Sequence, residues 1–431
     1  MSTLAVTDGH VLAPDGSVSR ADVLVDQATG TIREVGAELT GDRTLSADGG
    51  LVMPGLVNAH THAAMTLLRG LADDKPLDAW LQEDIWPAEA ALEPEDVRVG
   101  AELGLLEMIR SGTTAFADMY FHMDEVLEAV DRAGLRARLS HGIVTVGKDD
   151  SGAEADLQTG IDFARRADGA AGGRVRTAVS PHSLTTVDEA TLEETVAAAR
   201  EIGVPLHFHA NETTDEVEPI VEERGVRPLE YAVETGLLES SDFLAHGVHL
   251  DETEIDLLAD RTPGVVHCPA SNMKLASGMA PVERLHEAGV PLAVGTDGPA
   301  SNNDLDMFDE MRVAARLGKL AAEDASAVPA EAVLKMATEG GARALGLPGG
   351  RIEPGAAADL IVVDFRSPRM TPVHDYVSHL IYAAQGSDVC HSVVDGQVLM
   401  RNREVQPLDD AAIRDAAAER ATALAERADV R

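Results

Sequence analysis

The feature that most constrains this chain is a rhythm. Between about residue 55 and residue 298, eight short runs rich in β-branched residues alternate with stretches of helical pattern. The runs are "GLVNAH" (55–60), "TTAFADMY" (113–120), "LRARLSHGI" (135–143), "VRTAVSPHS" (175–183), "VPLHFHANE" (204–212), "DFLAHGVHL" (242–250), "PGVVHCPASN" (263–272) and "VPLAVGTDG" (290–298). Strands that are each followed by a helix pair in parallel, and eight of them close into a (β/α)8 TIM barrel. The helical stretches carry their own punctuation. "DEATLEETVAAAREIG" stops at Gly203, and "DETEIDLLADR" opens with Asp251 and Glu254 at capping-box spacing.

The two ends of the chain have a different texture. "LAVTDGHVLAPDG" and "ADVLVDQATGTIREVG" alternate apolar and polar residues between Asp-Gly and Thr-Gly turns. After residue 349 the same texture returns in "GRIEPGAAADLIVVDF" and "CHSVVDGQVLMRNREV", with a hairpin signal at "VDGQV". The expected fold class is α/β: a barrel over 56–349 beside a small composite β-sandwich domain made from 1–55 and 350–431. "DDAAIRDAAAERATALAERA" reads as an Ala-rich acidic helix at the end of that domain, with no chemistry of its own.

In a barrel of this kind, active sites are built where the strands end. His60 and His62, His182, His209 and Glu212, His246, and Asp297 stand at the ends of strands one, four, five, six and eight. Any one of them alone reads as a hydrogen-bonded structural residue; together they share one mouth. Residues i and i+2 of an extended segment point the same way, so His60 and His62 can converge on one ion. In "HFHANE" His207 and His209 share a face, and either can be the third imidazole; His209 lies nearer the strand end and is preferred. Asp297 adds a carboxylate. Three neutral imidazoles, a carboxylate and a water suit Zn2+, with Fe2+ as the alternative, and an open water position makes such a site catalytic. Lys75 and Lys148, the lysines between the first and third ligand segments, sit in loop contexts, so one ion is expected rather than a lysine-bridged pair. Glu212 is placed to carry a proton as general acid/base; its competing reading is a favourable charge at the start of the helix near "TTDEVE". His246 is placed to hydrogen-bond the attacking hydroxide, and Asp297 to ligate the ion and accept the water's proton.

Charge narrows the partners. The formal net charge is −39, spread along the whole chain. Such a surface repels nucleic acid and anionic membranes, and no apolar run approaches membrane-spanning length. Self-repulsion on this scale is relieved by salt, which points to a halophilic, high-salt cytoplasm. Two cysteines, Cys268 and Cys390, and an opening "MSTLAVTDGHVLAP" without a basic or apolar leader pattern fit a reducing cytoplasm. The expected partner is a small molecule, and a homo-oligomer is the expectation for barrels of this kind.

In order along the chain, "PGLVNAHTHAAMTLLRG", "DMYFH", "PHS", "HFHANET", "AHGVHL", "CPASNMKL" and "GTDGPASNN" resemble the amidohydrolase superfamily, and within it the 5-methylthioadenosine/S-adenosylhomocysteine deaminase group. The resemblance covers about residues 50 to 400. It implies one Zn2+ on His60, His62, His209 and Asp297. It also implies hydrolytic deamination of a 5′-modified adenosine (methylthioadenosine, 5′-deoxyadenosine, adenosine or S-adenosylhomocysteine) to the inosine analogue and ammonia. Glu212 would protonate the ring nitrogen next to C6 and then the departing ammonia, while His246 positions the hydroxide. Glu89 in "WPAEA" would bind the ribose, and His182 the substrate. Read without the resemblance, Glu89 is a solvated carboxylate of an acidic chain. Trp80 and Trp86 either cover the adenine or pack a lid, and His122 has either a site role or a helix-start contact.

One stretch departs from the group. Members that accept S-adenosylhomocysteine carry an arginine in the loop after the third strand; here "TVGKDDSGAEADLQTG" has only Lys148, beside Asp149 and Asp150. Lysine does not reproduce bidentate carboxylate recognition, so uncharged 5′ groups are expected. Guanine or cytosine deamination and triazine hydrolysis share such a metal site and are the alternative reactions. A non-catalytic binding protein is the alternative from another class; the complete ligand set and Glu212 oppose it.

Overall fold

The computed structural model describes residues 2–430. The eight apolar runs all form strands, and every residue of the first three, Leu56–Thr61, Thr113–Tyr120 and Arg136–Ile143, is buried. A parallel sheet covered by helices needs that, because neither face meets water. The fourth strand comes in two pieces, Val175–Thr177 and Ser180–Pro181; His207–Ala210, Phe243–His246, Gly264–His267 and Leu292–Val294 complete the set. All neighbours pair in parallel within two arcs. Val179 pairs with Leu206 at one seam, and Thr61 pairs with Asp297 at the other, so the sheet closes into a barrel.

Helices follow the strands as their caps dictate. Glu189–Ile202 starts on Asp188, whose side chain accepts from Thr191 N–H, and stops at Gly203 with φ 83°. Glu252–Arg261 opens with the reciprocal Asp251–Glu254 capping box. One buried cluster joins small residues of the strands, Val57, Ala59, Ala115, Ala117, Ala178 and Ala293, with Phe243, Val266, Leu345 and Leu347.

The chain ends meet in one nine-stranded sheet. Leu51–Pro54 from the front pairs antiparallel with Leu360–Val363 from the back. The first strand, Thr3–Leu12, pairs with Arg43–Ser46 along its first half and with Leu51–Pro54 along its second, which bends the sheet around one core of Val6, Val23, Val25, Ile32, Val52 and Leu360. This is the composite β domain expected from the turn-rich ends. Its Asp395-Gly396 hairpin has φ of 51° and 72° at the two turn residues, the pair of left-handed conformations a tight hairpin needs. Arg136, at the start of the third barrel strand, ties barrel to sheet by donating to Asp359 at 2.6 Å and Asp395 at 2.9 Å. The final helix, Asp410–Ala428, lies against Pro94–Ser111 and the short helix Trp86–Ala90. Among the described residues no helix is long and apolar enough to cross a membrane.

Candidate active site

The strand ends carry polar side chains because the barrel mouth is where the sheet stops needing apolar ones. His60 is the penultimate residue of the first strand and His62 follows it; His209 is in the fifth strand, and Asp297 follows the eighth. One nitrogen from each histidine and one Asp297 oxygen all lie within 4.8 Å of one another. His60 Nε2 is 3.3 Å, and His62 Nε2 3.2 Å, from Asp297 Oδ1, and His209 Nε2 is 3.2 Å from His60 Nε2. The strands come close here: a Cβ on Gly295 would stand 2.7 Å from the His60 backbone nitrogen.

The opposite ring edges are occupied. His62 Nδ1 donates to the Met119 carbonyl at 2.5 Å, and His209 Nδ1 to the His182 carbonyl at 2.7 Å. Those bonds place the proton on Nδ1 and turn the Nε2 lone pair inward, as metal-ligating histidines require. His60 Nδ1 lies 2.9 Å from His207 Nε2, and His207 stacks on Phe243 one layer deeper. His207 therefore backs His60 and does not join the cluster. The second oxygen of Asp297 accepts from Ser271 Oγ at 2.7 Å and Ser301 Oγ at 2.8 Å, leaving Oδ1 directed at the histidines.

The electrostatics agree with that donor set. Burial pushes His60 down to about 4 and His209 well below its ordinary value, so both are neutral. Burial alone would also lower His62, but the facing Asp297 carboxylate lifts it to about 9. Burial would raise Asp297; the His60 and His62 rings hold it well below the usual carboxylate range. Three imidazoles and one anion on inward-facing atoms, each fixed from behind, fit a divalent cation, which would neutralise Asp297 as the His62 proton otherwise does.

Beside the cluster, Glu212 Oε1 accepts from Ser277 Oγ at 3.1 Å, and Glu212 Oε2 is 3.5 Å from His246 Nε2. Burial raises the Glu212 carboxyl. Burial alone would lower His246; Glu212 and then Asp297 reverse that and raise it. His246 Nδ1 is held by Asn272 Oδ1 at 2.9 Å. Asp297, His246 and Asn211 have φ of 61°, 78° and 54°, conformations that cost L residues energy and recur where a site over-determines them. His62, Glu89, His182, His209, Glu212, His246 and Asp297 all line one cavity of about 890 Å³, within the usual size of small-molecule sites. Glu89 faces Tyr120 there, and loss of solvent raises its carboxyl to about 7. Burial lowers His182 to about 3, and its Nδ1 is 3.0 Å from Thr186 Oγ1. Trp80, Trp86 and His122 are also in the wall; His122 opens helix Met123–Ala133 without a side-chain cap bond.

Several partners had no advance reading as site residues. The tetrapeptide Pro-Ala-Ser-Asn occurs at 269–272 and again at 299–302. Both serines hold Asp297, the first asparagine holds His246, and the second donates to the Thr296 carbonyl at 2.8 Å. Glu310 joins the two copies, accepting from Ala270 N–H at 2.9 Å and from Asn302 Nδ2 at 2.8 Å. The repetition at the ends of adjacent strands was the available signal. Glu216, four residues after Glu212, accepts the Glu212 N–H at 2.8 Å; burial raises its carboxyl to about 7.

The amidohydrolase family model matches residues 51–399. A 5-methylthioadenosine/S-adenosylhomocysteine deaminase of Natronomonas pharaonis is 62% identical, with all of both chains covered. One of the same name from Halobacterium salinarum is 65% identical over 99% of each chain. Among solved structures, an adenosine deaminase from Xanthomonas campestris with bound zinc superposes with a TM-score of 0.92, at 40% identity over 98% of each chain.

Proposed function

The chain belongs to the amidohydrolase family, in its 5-methylthioadenosine/S-adenosylhomocysteine deaminase group, and we propose that it converts 5′-modified adenosines to the inosine analogue with one Zn2+ held by His60, His62, His209 and Asp297. The reaction is hydrolytic deamination of an adenosine derivative: water adds an oxygen at C6 of the purine, and the amino group leaves as ammonia. The observation that carries it is the four-donor cluster beside a buried Glu212–His246 pair, in one cavity large enough for a nucleoside. A cation held by these residues would make a water acidic enough to attack near neutral pH.

The rest is the work of side chains. Asp297, held by Ser271 and Ser301, takes the proton of the attacking water. Glu212, whose burial favours the protonated form, gives its proton to the ring nitrogen next to C6, takes up the remaining proton of the added oxygen as the C6 carbonyl forms, and passes that one to the departing amine; the proton held by Asp297 then restores Glu212. His246, fixed by Asn272, orients the attacking oxygen from its Nε2 side. Glu89 binds the ribose hydroxyls, and His182 meets the purine edge.

The 5′ substituent follows from charge. The lysine and arginine lining the cavity are Lys148 and Arg166. Lys148 is 2.7 Å from Asp156, which also takes His141, and Arg166 pairs with Asp124. A substrate carboxylate would find both cations already neutralised. Leaving a polar group without a partner costs about 1–3 kcal/mol, so kcat/KM for methylthioadenosine should exceed that for S-adenosylhomocysteine roughly tenfold or more. An ammonia-release screen over 5′-substituted adenosines, run at molar salt with metal content measured on the same sample, tests this. S-Adenosylhomocysteine emerging as the best substrate by a wide margin contradicts it.

The net charge of −39 further supports a high-salt working medium. The melting temperature should rise by several degrees between low and molar KCl as carboxylate repulsion is screened. A flat or falling profile in a thermal melt removes this reading.

A further inference from the structure

We propose that the C-terminal helix, Asp410–Ala428, is a positioning element of the active site, fixing through Arg420 and Arg427 the turn that follows the helix carrying Glu89. The helix buries Ile413, Ala417 and Leu424 and packs against Trp86–Ala90 and Pro94–Ser111. Arg420 donates to Asp96 Oδ1 and to Glu93 Oε2, each at 2.6 Å, and to Glu95 Oε2 at 3.2 Å. Arg427 pairs with Asp96 Oδ2 and donates to the Ala91 carbonyl at 3.3 Å. Asp96 is fully buried and also accepts the Glu93 N–H at 2.8 Å. One buried carboxylate thus gathers two guanidiniums and the backbone of the turn.

That turn directly continues a segment that lines the site. Glu89 lies on the helix Trp86–Ala90, and Ala91 and Glu93 are two and four residues further on. The stretch from Leu77 to Ala90 forms no strand of the barrel, although Trp80, Trp86 and Glu89 line the cavity. Its own ion pairs are local, Lys75 with Glu83 and Asp84. Arg420 and Arg427 reach the turn just beyond it from another helix. Because Asp96 is buried, salt screens this anchor much less than a surface pair. The side chains act on KM for ribose-bearing substrates by holding Glu89 at its height in the cavity, and they touch nothing that reacts.

The inference rests on the reading of Glu89 as the ribose ligand, and a mutant cycle separates the two. The variant Arg420→Gln/Arg427→Gln/Asp96→Asn removes the anchor without leaving a lone buried charge. KM and kcat are measured for methylthioadenosine and its 2′,3′-dideoxy counterpart. KM for methylthioadenosine should rise roughly tenfold, the scale of one weakened bond to a charged group, with kcat within about twofold. KM for the dideoxy compound should stay put, and the added loss should vanish in a Glu89→Gln background. Arg427→Gln alone, which frees the Ala91 carbonyl and keeps Arg420, should move KM in the same direction by less; it covers the case in which the triple variant folds poorly. Equal losses on both nucleosides, additivity with Glu89→Gln, or an unchanged KM overturns the helix's role. Should Glu89→Gln itself fail to distinguish the two nucleosides, the ribose reading falls and takes this inference with it.

Discussion

Glu212→Gln should keep its metal and its melting temperature while turning over methylthioadenosine about 10³-fold more slowly, within the 10²–10⁴ range for a general acid/base. The substitution is isosteric, and the amide oxygen can still accept from Ser277 Oγ. What disappears is the proton a buried carboxyl, raised by its surroundings, can give and take back. The loss should fall equally on kcat and kcat/KM, the signature of an interaction used in the transition state. If Glu212 served only as a charge at the start of Thr214–Arg224, the change would instead be a modest loss of stability. Ammonia release, elemental analysis and a melt on the same preparation separate these outcomes.

Asp297→Asn should fail to retain stoichiometric metal and lose at least about 10³-fold in turnover, the several kcal/mol a catalytic cation contributes. Asp297 Oδ1 is the one anionic atom among four inward-facing donors, and an amide cannot replace its charge. The two serines provide the graded control. Ser271→Ala and Ser301→Ala each remove one bond to the far oxygen, and each should cost about 10–100-fold in metal affinity or activity, as outer partners of ligands do. Equal retention of metal by Asp297→Asn and the wild type would remove the carboxylate from the ligand set.

Much of this was legible before any coordinates, for a definite reason. The barrel is written locally, in short apolar runs closed by caps such as Asp188 and Gly203, and local patterns survive reading one residue at a time. The candidate residues were legible because the fold sends every strand end to one face, so a search of eight short windows finds them. What stayed hidden depends on depth or distance. His207 and His209 share a face; nearness to the strand end favours His209, but that the inner ring stacks on Phe243 is visible only in the packing. The two Pro-Ala-Ser-Asn segments look like ordinary loop turns until strands seven and eight stand side by side. Lys148 reads as a loop cation beside Asp149 and Asp150, but the carboxylate that holds it is Asp156, further along the following helix. Arg420 and Asp96 are separated by 324 positions, and no periodicity links residues so far apart. The acidic helix at the chain's end therefore read as chemically silent.

The most direct test is a metal titration. The wild-type protein is stripped with a chelator at molar salt, and Zn2+ is returned in known increments while ammonia release from methylthioadenosine is followed. With His60, His62, His209 and Asp297 around one ion, activity should vanish on stripping and climb linearly to a plateau at one equivalent per chain. Deamination that survives stripping, or a plateau reached only at two equivalents, would contradict the single-ion centre.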